Sequence, residues 1–340
     1  GEDLLEIKPT VLVSVPRIFE RVNTKVQAKL AQDSAIKRRL FALAVRLGWH
    51  RFEHEQGRAA WTSGLLLQPL LDRLVGAKIR GRLGGNLRFA VTGGAPMPPE
   101  ISRIFIGLGI TVVQGYGLTE TSPMITANHL EDNDPASVGK CVPGQELRIG
   151  ERDEILTRGP HVMLGYWNNE LATRDMIDDD GWLHTGDQGR LDDRGHLFIT
   201  GRLKEIIILA NGENLPPAEM EMTISQDELV DQVLVVGDNR PFLTALVVPN
   251  EEAMASLQHQ LNLELGEYAV NGDTLNQRVL ERVQRSVENF PGYAKLMRIA
   301  LVHEPWTVEN GLMTPTMKLK RARILENHQD LVDRLYAGHE

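Results

Sequence analysis

The sequence is poor in cysteine and in long apolar runs, and each shortage excludes a class of protein. Its single cysteine, Cys141, cannot form an internal disulfide, which fits a reducing compartment. No apolar run approaches the roughly 20 residues that span a bilayer. Acidic residues outnumber basic ones and the net charge is −9, so the overall charge does not indicate a nucleic-acid partner. We therefore expect a cytoplasmic protein.

The chain also lacks an initiator methionine and a secretion signal. Residues 1–6 read GEDLLE, with neither a basic region nor an apolar core. Because this start is already helix-like, we expect residue 1 to be a cut or engineered boundary. A chain of 340 residues is long enough for two domains, each with its own core.

Apolar residues recur at helical spacing near the start of the sequence. They lie every four positions over 18–30, and the pattern repeats at Ile36, Leu40, Leu43 and Leu47. Two helices are therefore predicted, each with one apolar face.

Basic residues are frequent over 37–51, within the second of these helices. They are typical of the solvated face of a packed helix, which we favour, and also of a helix that lies on a membrane surface. Peripheral membrane association is left open for this reason, and so is a homodimer.

A strand, a helix and a second strand are predicted in the middle of the chain. Residues 87–91 form an apolar strand that ends at a Gly-Gly turn, and Pro98 starts a helix over 101–109. The apolar run 110–113 predicts the next strand. This order is the unit of a parallel sheet, so the fold class is α/β.

The second half of the chain has a different pattern. Residues 135–200 are rich in glycine turns and short strands, which predicts a small β-barrel or a β-rich subdomain. A helix is expected from Pro216, strands over 232–236 and 243–248, and a helix over 274–289.

The most informative segment, 114–123, reads QGYGLTETSP and follows the run 110–113. Gly115 and Gly117 allow a tight turn beside a ligand. A strand that leads into such a loop has the expected site geometry of an open α/β sheet.

Side chains in this segment suit a nucleotide. The ring of Tyr116 can stack on a base, the hydroxyl of Thr119 can donate to a phosphate, and the carboxylate of Glu120 can hold Mg²⁺. The segment resembles the signature loop of the acyl-adenylate-forming superfamily, which includes acyl-CoA synthetases, peptide-synthetase adenylation domains and luciferases.

Further segments carry the same resemblance in the same order. Residues 182–187, WLHTGD, resemble the ribose-binding loop, 201–207 resemble the interdomain hinge, and 311–321 resemble the C-terminal lysine loop. The Thr-Pro-Thr form of that last loop is typical of long-chain fatty acyl-CoA synthetases, as is 8–21, KPTVLVSVPRIFER.

The resemblance implies two domains of unequal size. Residues 1–200 would be the C-terminal part of a large AMP-binding domain, with a β-rich subdomain over 135–200. The hinge would be 201–205, followed by a small mobile α+β domain over 206–340.

For the nucleotide, the resemblance implies contacts from several loops. Gly93, Gly94 and Ala95 would present their backbone to adenine, and Tyr116, beside Gly117, would stack on it.

The same resemblance assigns the sugar and phosphate contacts. Asp187 would accept hydrogen bonds from the ribose hydroxyls, and Arg202 would also contact the ribose. Thr119 would touch the α-phosphate, and Glu120 would hold Mg²⁺. We treat His184 as structural.

Residues after the hinge would complete the chemistry. Lys318 would be the catalytic lysine that meets the α-phosphate and the attacking carboxylate, because a point charge on a flexible stem suits both. Lys204 matches the hinge position. Gly212 would leave room for the pantetheine arm of CoA.

One superfamily element is missing from the sequence. The loop for the β- and γ-phosphates, rich in Ser, Thr and Gly and ending in Pro-Lys-Gly, has no counterpart except the hint at 62–64. We therefore interpret the chain as the C-terminal portion of a long-chain fatty acid–CoA ligase that uses ATP, Mg²⁺ and CoA, and expect the isolated chain to be inactive. Alternatives are a fatty acyl-AMP ligase or other acyl-CoA synthetase, and a non-catalytic nucleotide- or acyl-binding fragment.

Overall fold

The chain divides after Thr200 into a first unit, Gly1–Thr200, and a second unit, Gly201–Glu340. The division adjoins the expected hinge at 201–205, where pivoting stays a prediction. The structure is a computed structural model that describes residues 2–95, 97–265, 272–314 and 317–338. In that part of the chain no helix is long and apolar enough to cross a membrane.

The first unit alternates helices with short strands. Its helices are α1 (Glu2–Ile7), α2 (Pro16–Gln32), α3 (Ala35–Glu55), α4 (Gln68–Leu71), α5 (Ala77–Arg82), α6 (Pro99–Gly107) and α7 (Glu170–Met176). Its strands are β1 (Val11–Ser14), β2 (Phe89–Thr92), β3 (Thr111–Tyr116), β4 (Thr126–Ala127), β5 (Lys140–Cys141), β6 (Glu146–Ile149), β7 (Glu154–Arg158), β8 (Leu183–Leu191) and β9 (Leu197–Arg202), the last of which runs into the second unit. Short turns of 3-10 or π helix lie at Ser63–Leu67, Asp72–Gly76, Thr119–Thr121 and Glu151–Asp153.

The predicted strand, helix and strand are confirmed as β2, α6 and β3. Strands β1, β2 and β3 are parallel neighbours, and β4 and β5 extend the sheet in antiparallel pairing. Proline occupies the first turn of α6, where a missing N–H costs nothing. Ile110 and Val112 are fully buried, and Phe105 of α6 meets Phe19 of α2 edge to face at 5.2 Å.

Helix α3 forms as predicted, but its apolar face was assigned one position too early. Ile36 is 79% exposed, whereas Phe41, Ala44, Gly48 and Phe52 are buried. The cause is close packing on α6, because a side chain at Gly48 would come within 1.9 Å of a backbone oxygen there. The prediction followed the spacing of the leucines and did not recognise that Gly48 lies on the face of α3 that contacts α6.

The β-rich segment forms a second sheet in the order β6-β7-β8-β9. This linear order fits the predicted β-rich subdomain and not the alternative of a closed barrel. Strand β8 alternates strictly, with Leu183, Thr185, Asp187 and Gly189 buried and the residues between them partly exposed. This alternation turns the carboxylate of Asp187 inward.

The second unit encloses a sheet between two helical layers. Its elements are β10 (Ile207–Ile208), β11 (Asn214–Leu215), α8 (Pro217–Ile224), β12 (Val230–Val236), β13 (Leu243–Pro249), α9 (Glu251–Leu265), α10 (Gly272–Ser286), β14 (Leu296–Leu301), α11 (Arg321–Asn327) and α12 (Gln329–Tyr336), with a 3-10 turn at Gly292–Ala294. In the sheet β12-β13-β14, β12 and β13 are antiparallel and β14 is parallel to β13. Alternate residues of β12 enter different cores: Val233 packs with α8 and α10, and Leu234 packs with α11 and α12.

Candidate active site

Strands β2 and β3 deliver two of the predicted nucleotide segments to the same edge of the sheet. Thr92 is paired with Gln114, so Gly93 and Gly115 follow side by side at the carboxyl ends of parallel strands. A side chain at Gly93 would begin 3.1 Å from the Gly115 oxygen. The backbone after β2 therefore approaches the start of the Tyr116 loop, and the next two predicted adenine contacts, Gly94 and Ala95, are exposed there.

The loop that follows Tyr116 is held by its own backbone. A side chain at Gly117 would begin 1.8 Å from the Pro123 oxygen, which only glycine avoids. The buried hydroxyl of Thr121 lies 2.9 Å from the Leu118 nitrogen, whose N–H donates to it. The loop is therefore stabilised by contacts among its own residues. Thr119, the expected phosphate contact, is exposed at its surface.

Two residues predicted to bind the nucleoside meet in the first unit. The phenol of Tyr116 donates a hydrogen bond of 2.7 Å to Oδ2 of Asp187, across 71 positions of sequence. Asp187 is 4% exposed. A carboxylate has two oxygens and several lone pairs, so it can accept hydrogen bonds from more than one donor.

A second carboxylate, Glu154 of β7, supports the strand that carries Asp187. Its Oε2 lies 2.9 Å from Nδ1 of His184, and its Oε1 accepts from the N–H of Gly186 at 3.0 Å. His184 Nε2 also lies 3.7 Å from Asp178. The histidine is thus held between carboxylates, and Glu154 fixes two residues of β8 that lie shortly before Asp187, His184 and Gly186.

Glu120, the expected magnesium ligand, has a defined neighbour. The phenol of Tyr166 donates to Glu120 Oε1 at 2.8 Å, and the N–H of Met163 donates to the Glu120 backbone oxygen at 2.8 Å. Burial, and then the bond to Glu120, raise the pKa of Tyr166, so it remains a donor at neutral pH.

The carboxylate of Glu120 fits one Mg²⁺ ligand. Among the described residues its Oε2 has no hydrogen-bond partner, and no group of three His, Cys, Asp or Glu side chains could hold a metal by itself. Magnesium commonly takes one or two carboxylates and completes its shell with water and substrate phosphates. A site that offers one carboxylate beside an exposed hydroxyl suits that mode.

In the second unit, the expected hinge residue Lys204 lies in a tight turn. The N–H of Glu205 donates to the Arg202 oxygen at 3.1 Å, and the Arg202 guanidinium lies 3.7 Å from the Glu205 carboxylate. Arg202 and Lys204 are both exposed. The turn carries the two predicted residues, and their roles stay predictions.

Gly212 lies in the hairpin between β10 and β11. Its φ is +86°, and a side chain built there would meet no atom within 4 Å in the described part of the chain. The backbone conformation therefore favours glycine at this position, a reason that the sequence argument about room for a pantetheine arm did not include.

The predicted catalytic lysine lies within the segment 311–321, of which residues 312–320 are called the lysine loop from here on. The Thr314 N–H donates to the Lys318 oxygen at 2.8 Å, and the Lys318 N–H donates to the Thr314 hydroxyl at 3.0 Å. Met317 has a φ of +64°, and Lys318 is exposed. Pro315 and Thr316, part of the family-typical Thr-Pro-Thr, lie outside the described residues.

Cys141 is unsuited to act as a nucleophile. It lies half-buried in β5, with Sγ 3.5 Å from the Gln145 oxygen, and burial raises the pKa of its thiol. A protonated thiol is a weak nucleophile.

Sequence reasoning missed the residues that hold the predicted ones in place. Glu154 and Tyr166 act through partners that are distant in sequence and belong to none of the quoted motifs. Thr121 lies within the quoted segment 114–123, but its hydroxyl bonds the backbone of the turn, a role that the sequence analysis did not assign. For Thr121 the signal was present, because a hydroxyl next to a proposed ligand in a Gly-rich loop commonly bonds the local backbone.

Comparison with known families agrees with this geometry. Residues 2–167 match the model of the AMP-binding enzyme family, and residues 204–340 match that of the AMP-binding enzyme C-terminal domain. The chain is a member of the AMP-binding enzyme family. This membership confirms the resemblance inferred from the motifs.

Relatives within the family include fatty-acid–CoA ligases. The chain is 37% identical over 343 residues to the long-chain-fatty-acid–CoA ligase FadD15 of Mycobacterium tuberculosis (strain ATCC 25618 / H37Rv), covering 98% of this chain and 56% of that protein. It is 33% identical over 368 residues to the long-chain-fatty-acid–CoA ligase ACSBG1 of Homo sapiens, covering 98% and 49%. The chain thus spans about half the length of these relatives.

A solved structure confirms the α/β fold class. The A-PCP didomain of carboxylic acid reductase from Segniliparus rugosus, in complex with AMP, superposes with a TM-score of 0.72 at 24% identity. The match covers 99% of this chain and 42% of that one.

Proposed function

We propose that the chain is the part of an AMP-forming long-chain fatty acid–CoA ligase that carries the nucleoside site and the catalytic lysine. The reaction joins a fatty acid to the α-phosphate of ATP, expels pyrophosphate, and passes the acyl group from AMP to the CoA thiol. The observation that carries the proposal is the hydrogen bond between Tyr116 and Asp187 beside the glycine-rich ends of β2 and β3. The names of the relatives support fatty acid and CoA as substrates.

In this proposal the first unit binds the nucleotide. Gly93 and Gly94 offer backbone to the adenine edge, the ring of Tyr116 stacks on its face, and Asp187 accepts from the ribose hydroxyls. Thr119 donates to the α-phosphate. A magnesium ion on Glu120 would neutralise phosphate charge that develops as pyrophosphate leaves.

In this proposal the second unit supplies the catalytic ammonium group and the residues that line the path of the CoA thiol. Lys318 brings an ammonium to the α-phosphate and the attacking carboxylate, and Arg202 adds a contact to the ribose. The turn at Lys204 is the proposed pivot between the two half-reactions, after which the hairpin with Gly212 lines the path of the pantetheine arm.

The test uses the full-length natural protein that contains this chain. We expect fatty-acid-dependent ATP–pyrophosphate exchange, followed by AMP release that depends on CoA and not on an acyl carrier protein. The variant Tyr116→Phe keeps the ring and loses the bond to Asp187, so it should raise the KM for ATP more than it lowers kcat. The exposed Tyr293→Phe is its matched control.

Three results would contradict the proposal in different ways. ATP–pyrophosphate exchange that depends on another class of acid, and not on fatty acids, would show that the proposed substrate class is wrong. Release that depends on a carrier protein would favour a fatty acyl-AMP ligase. Nucleotide binding without any exchange would favour a non-catalytic binding protein.

A further inference from the structure

A buried ion pair in the second unit has no role in the chemistry described above. Arg321 Nη1 lies 2.5 Å from Glu221 Oε1, and Arg321 Nη2 donates to the Val235 oxygen at 2.5 Å. The Glu221 and Arg321 side chains are only 16% and 18% exposed. Arg321 is the first residue of α11 and follows Lys318 by three positions, while Glu221 lies 100 positions earlier on α8.

The pair closes the outer edge of the sheet. Among the described residues, strand β12 has a neighbouring strand on one side only, β13, in the order β12-β13-β14. Glu221 Oε1 also accepts the N–H of Val235 at 2.7 Å, so Glu221 and Arg321 together occupy both backbone groups of Val235. A guanidinium that donates to two fixed acceptors through its planar fork is held in position and in orientation.

The lysine loop is therefore fixed at both ends. At its start, Leu312 and Met313 are buried in the core that α11 and α12 share. At its end, the Lys320 N–H donates to the Leu312 oxygen at 2.9 Å. The residue that follows, Arg321, is hydrogen-bonded to Val235 of β12. Lys318 therefore lies in a loop whose first and last residues are both held by contacts within the second unit.

We propose that Glu221 and Arg321 are positioning residues for Lys318 in the adenylation step. The inference rests on the proposed function of Lys318 and adds what holds the lysine in place. A displacement of about 1 Å at a reacting group can cost about 10²-fold in rate, so a support of this kind should be measurable.

The environment of Glu221 shapes the experiment. Burial raises the pKa of Glu221 above its usual range, and the Arg321 guanidinium opposes that rise. Glu205, in the proposed hinge turn, raises it further. Truncating Arg321 alone would leave a buried acid without its partner, which destabilises a protein whatever the role of the pair. A variant that removes both charges separates stability from positioning.

The experiment uses the full-length natural protein and measures each half-reaction. Arg321→Met and the double variant Glu221→Gln/Arg321→Met should both slow acid-dependent ATP–pyrophosphate exchange by about 10²-fold. Thioester formation from supplied acyl-adenylate should stay close to the parent rate. The double variant should regain most of the thermal stability that Arg321→Met loses, without regaining exchange, and Arg321→Lys should restore part of the exchange.

Two further variants sharpen the test. In a Lys318→Ala background, Arg321→Met should cause no additional loss of exchange, because it acts through the lysine. The control is Arg282→Met, which breaks a more exposed ion pair of the second unit, 3.0 Å from Asp227. It should lower stability and leave the ratio of the two half-reactions unchanged.

The outcomes distinguish this inference from the proposed function. If the parent shows no acid-dependent exchange, or if Lys318→Ala does not slow it, the proposed function is wrong. If Lys318→Ala slows exchange while the stable double variant runs at the parent rate, the positioning role is wrong. Equal losses in both half-reactions, or additive losses with Lys318→Ala, would also overturn it.

Discussion

The residues of the candidate site are of two kinds, predicted ligands of the nucleotide and residues that hold those ligands in place. Tyr116 and Asp187 were predicted from separate motifs, and their hydrogen bond shows that the two motifs are adjacent in the folded chain. Glu154, which holds the strand of Asp187, was not predictable, because its partners lie about 30 positions away and its neighbours in sequence form no motif. Candidate ligand residues can be predicted from short sequence motifs. The residues that orient them can be identified only from contacts in the folded structure.

Lys318→Ala should cripple adenylation in the full-length protein. One lost charged hydrogen bond in a closed site costs on the order of 3 kcal/mol, or about two decades in rate. Thioester formation from supplied acyl-adenylate should survive, since the proposed role of the lysine is at the α-phosphate in the adenylation step. Rates of the two half-reactions, with the exposed Lys295→Ala as control, check this expectation. Equal loss in both steps would exclude Lys318 as the adenylation lysine.

Helices and strands with a strong local pattern were predicted well, and those fixed by distant pairing were not. Proline marked the starts of α6 and α8, and apolar runs marked β12 and β13. Strand β14 was missed because its place depends on a parallel pairing with β13 across a long intervening segment. Helix α9 was missed because its apolar residues are scattered among polar ones over 251–265.

An ion pair fastens the segment between α4 and α5 to the turn before β3. Arg80 donates to both oxygens of Asp72, at 2.5 and 2.8 Å, and to the Leu108 oxygen at 2.7 Å. The hydrogen bond from Arg80, which outweighs the effect of burial, holds the pKa of Asp72 below its usual 3.8. We expect Asp72→Asn to destabilise the protein by about 1.5–3 kcal/mol at neutral pH.

The sign of this shift predicts the pH dependence. Because the folded-state pKa of Asp72 is lowered, its contribution is fully present above the ordinary value of 3.8 and is lost as pH falls through the lower folded value. Thermal unfolding of Asp72→Asn and its parent should therefore differ at neutral pH and converge in acid. Asp33→Asn, which breaks an exposed pair with Lys37, should change little at either pH. A difference for Asp72→Asn that persists unchanged in acid would contradict the assignment.

Lys204→Pro tests the turn as a pivot. Proline fixes φ and removes a donor, so it should restrict rotation at that position. We expect adenylation to persist while transfer to CoA slows, which is the reverse of the effect of Lys318→Ala. Single-turnover measurements of each step decide, with Lys204→Ala as the control that removes the side chain and keeps the backbone free. If Lys204→Pro runs both steps at the parent rate, the pivot lies elsewhere.

The 340 residues as a whole hold the proposed adenine, ribose, magnesium and lysine contacts, but their sequence has no loop that resembles the family loop for the outer phosphates. In the described part of the chain the sheet ends at strand β1, whose Val13 is 78% exposed. An apolar, unpaired edge invites association between chains. We therefore expect the purified chain to self-associate at high concentration, which sedimentation velocity would detect.

The purified 340-residue chain should bind AMP or acyl-adenylate weakly and form no measurable acyl-CoA. Three missing charge-assisted hydrogen bonds to the outer phosphates, each worth roughly 1.5–3 kcal/mol, would remove on the order of 5–9 kcal/mol, or about four to six decades in rate. AMP affinity should suffer far less, since the contacts proposed for Tyr116 and Asp187 involve no outer phosphate. Calorimetry with AMP and an acid-dependent ATP–pyrophosphate exchange assay on the same sample measure the two quantities. Robust exchange would mean that another segment of these residues holds the outer phosphates, because chemistry at the α-phosphate cannot proceed at speed while the leaving pyrophosphate is unsupported.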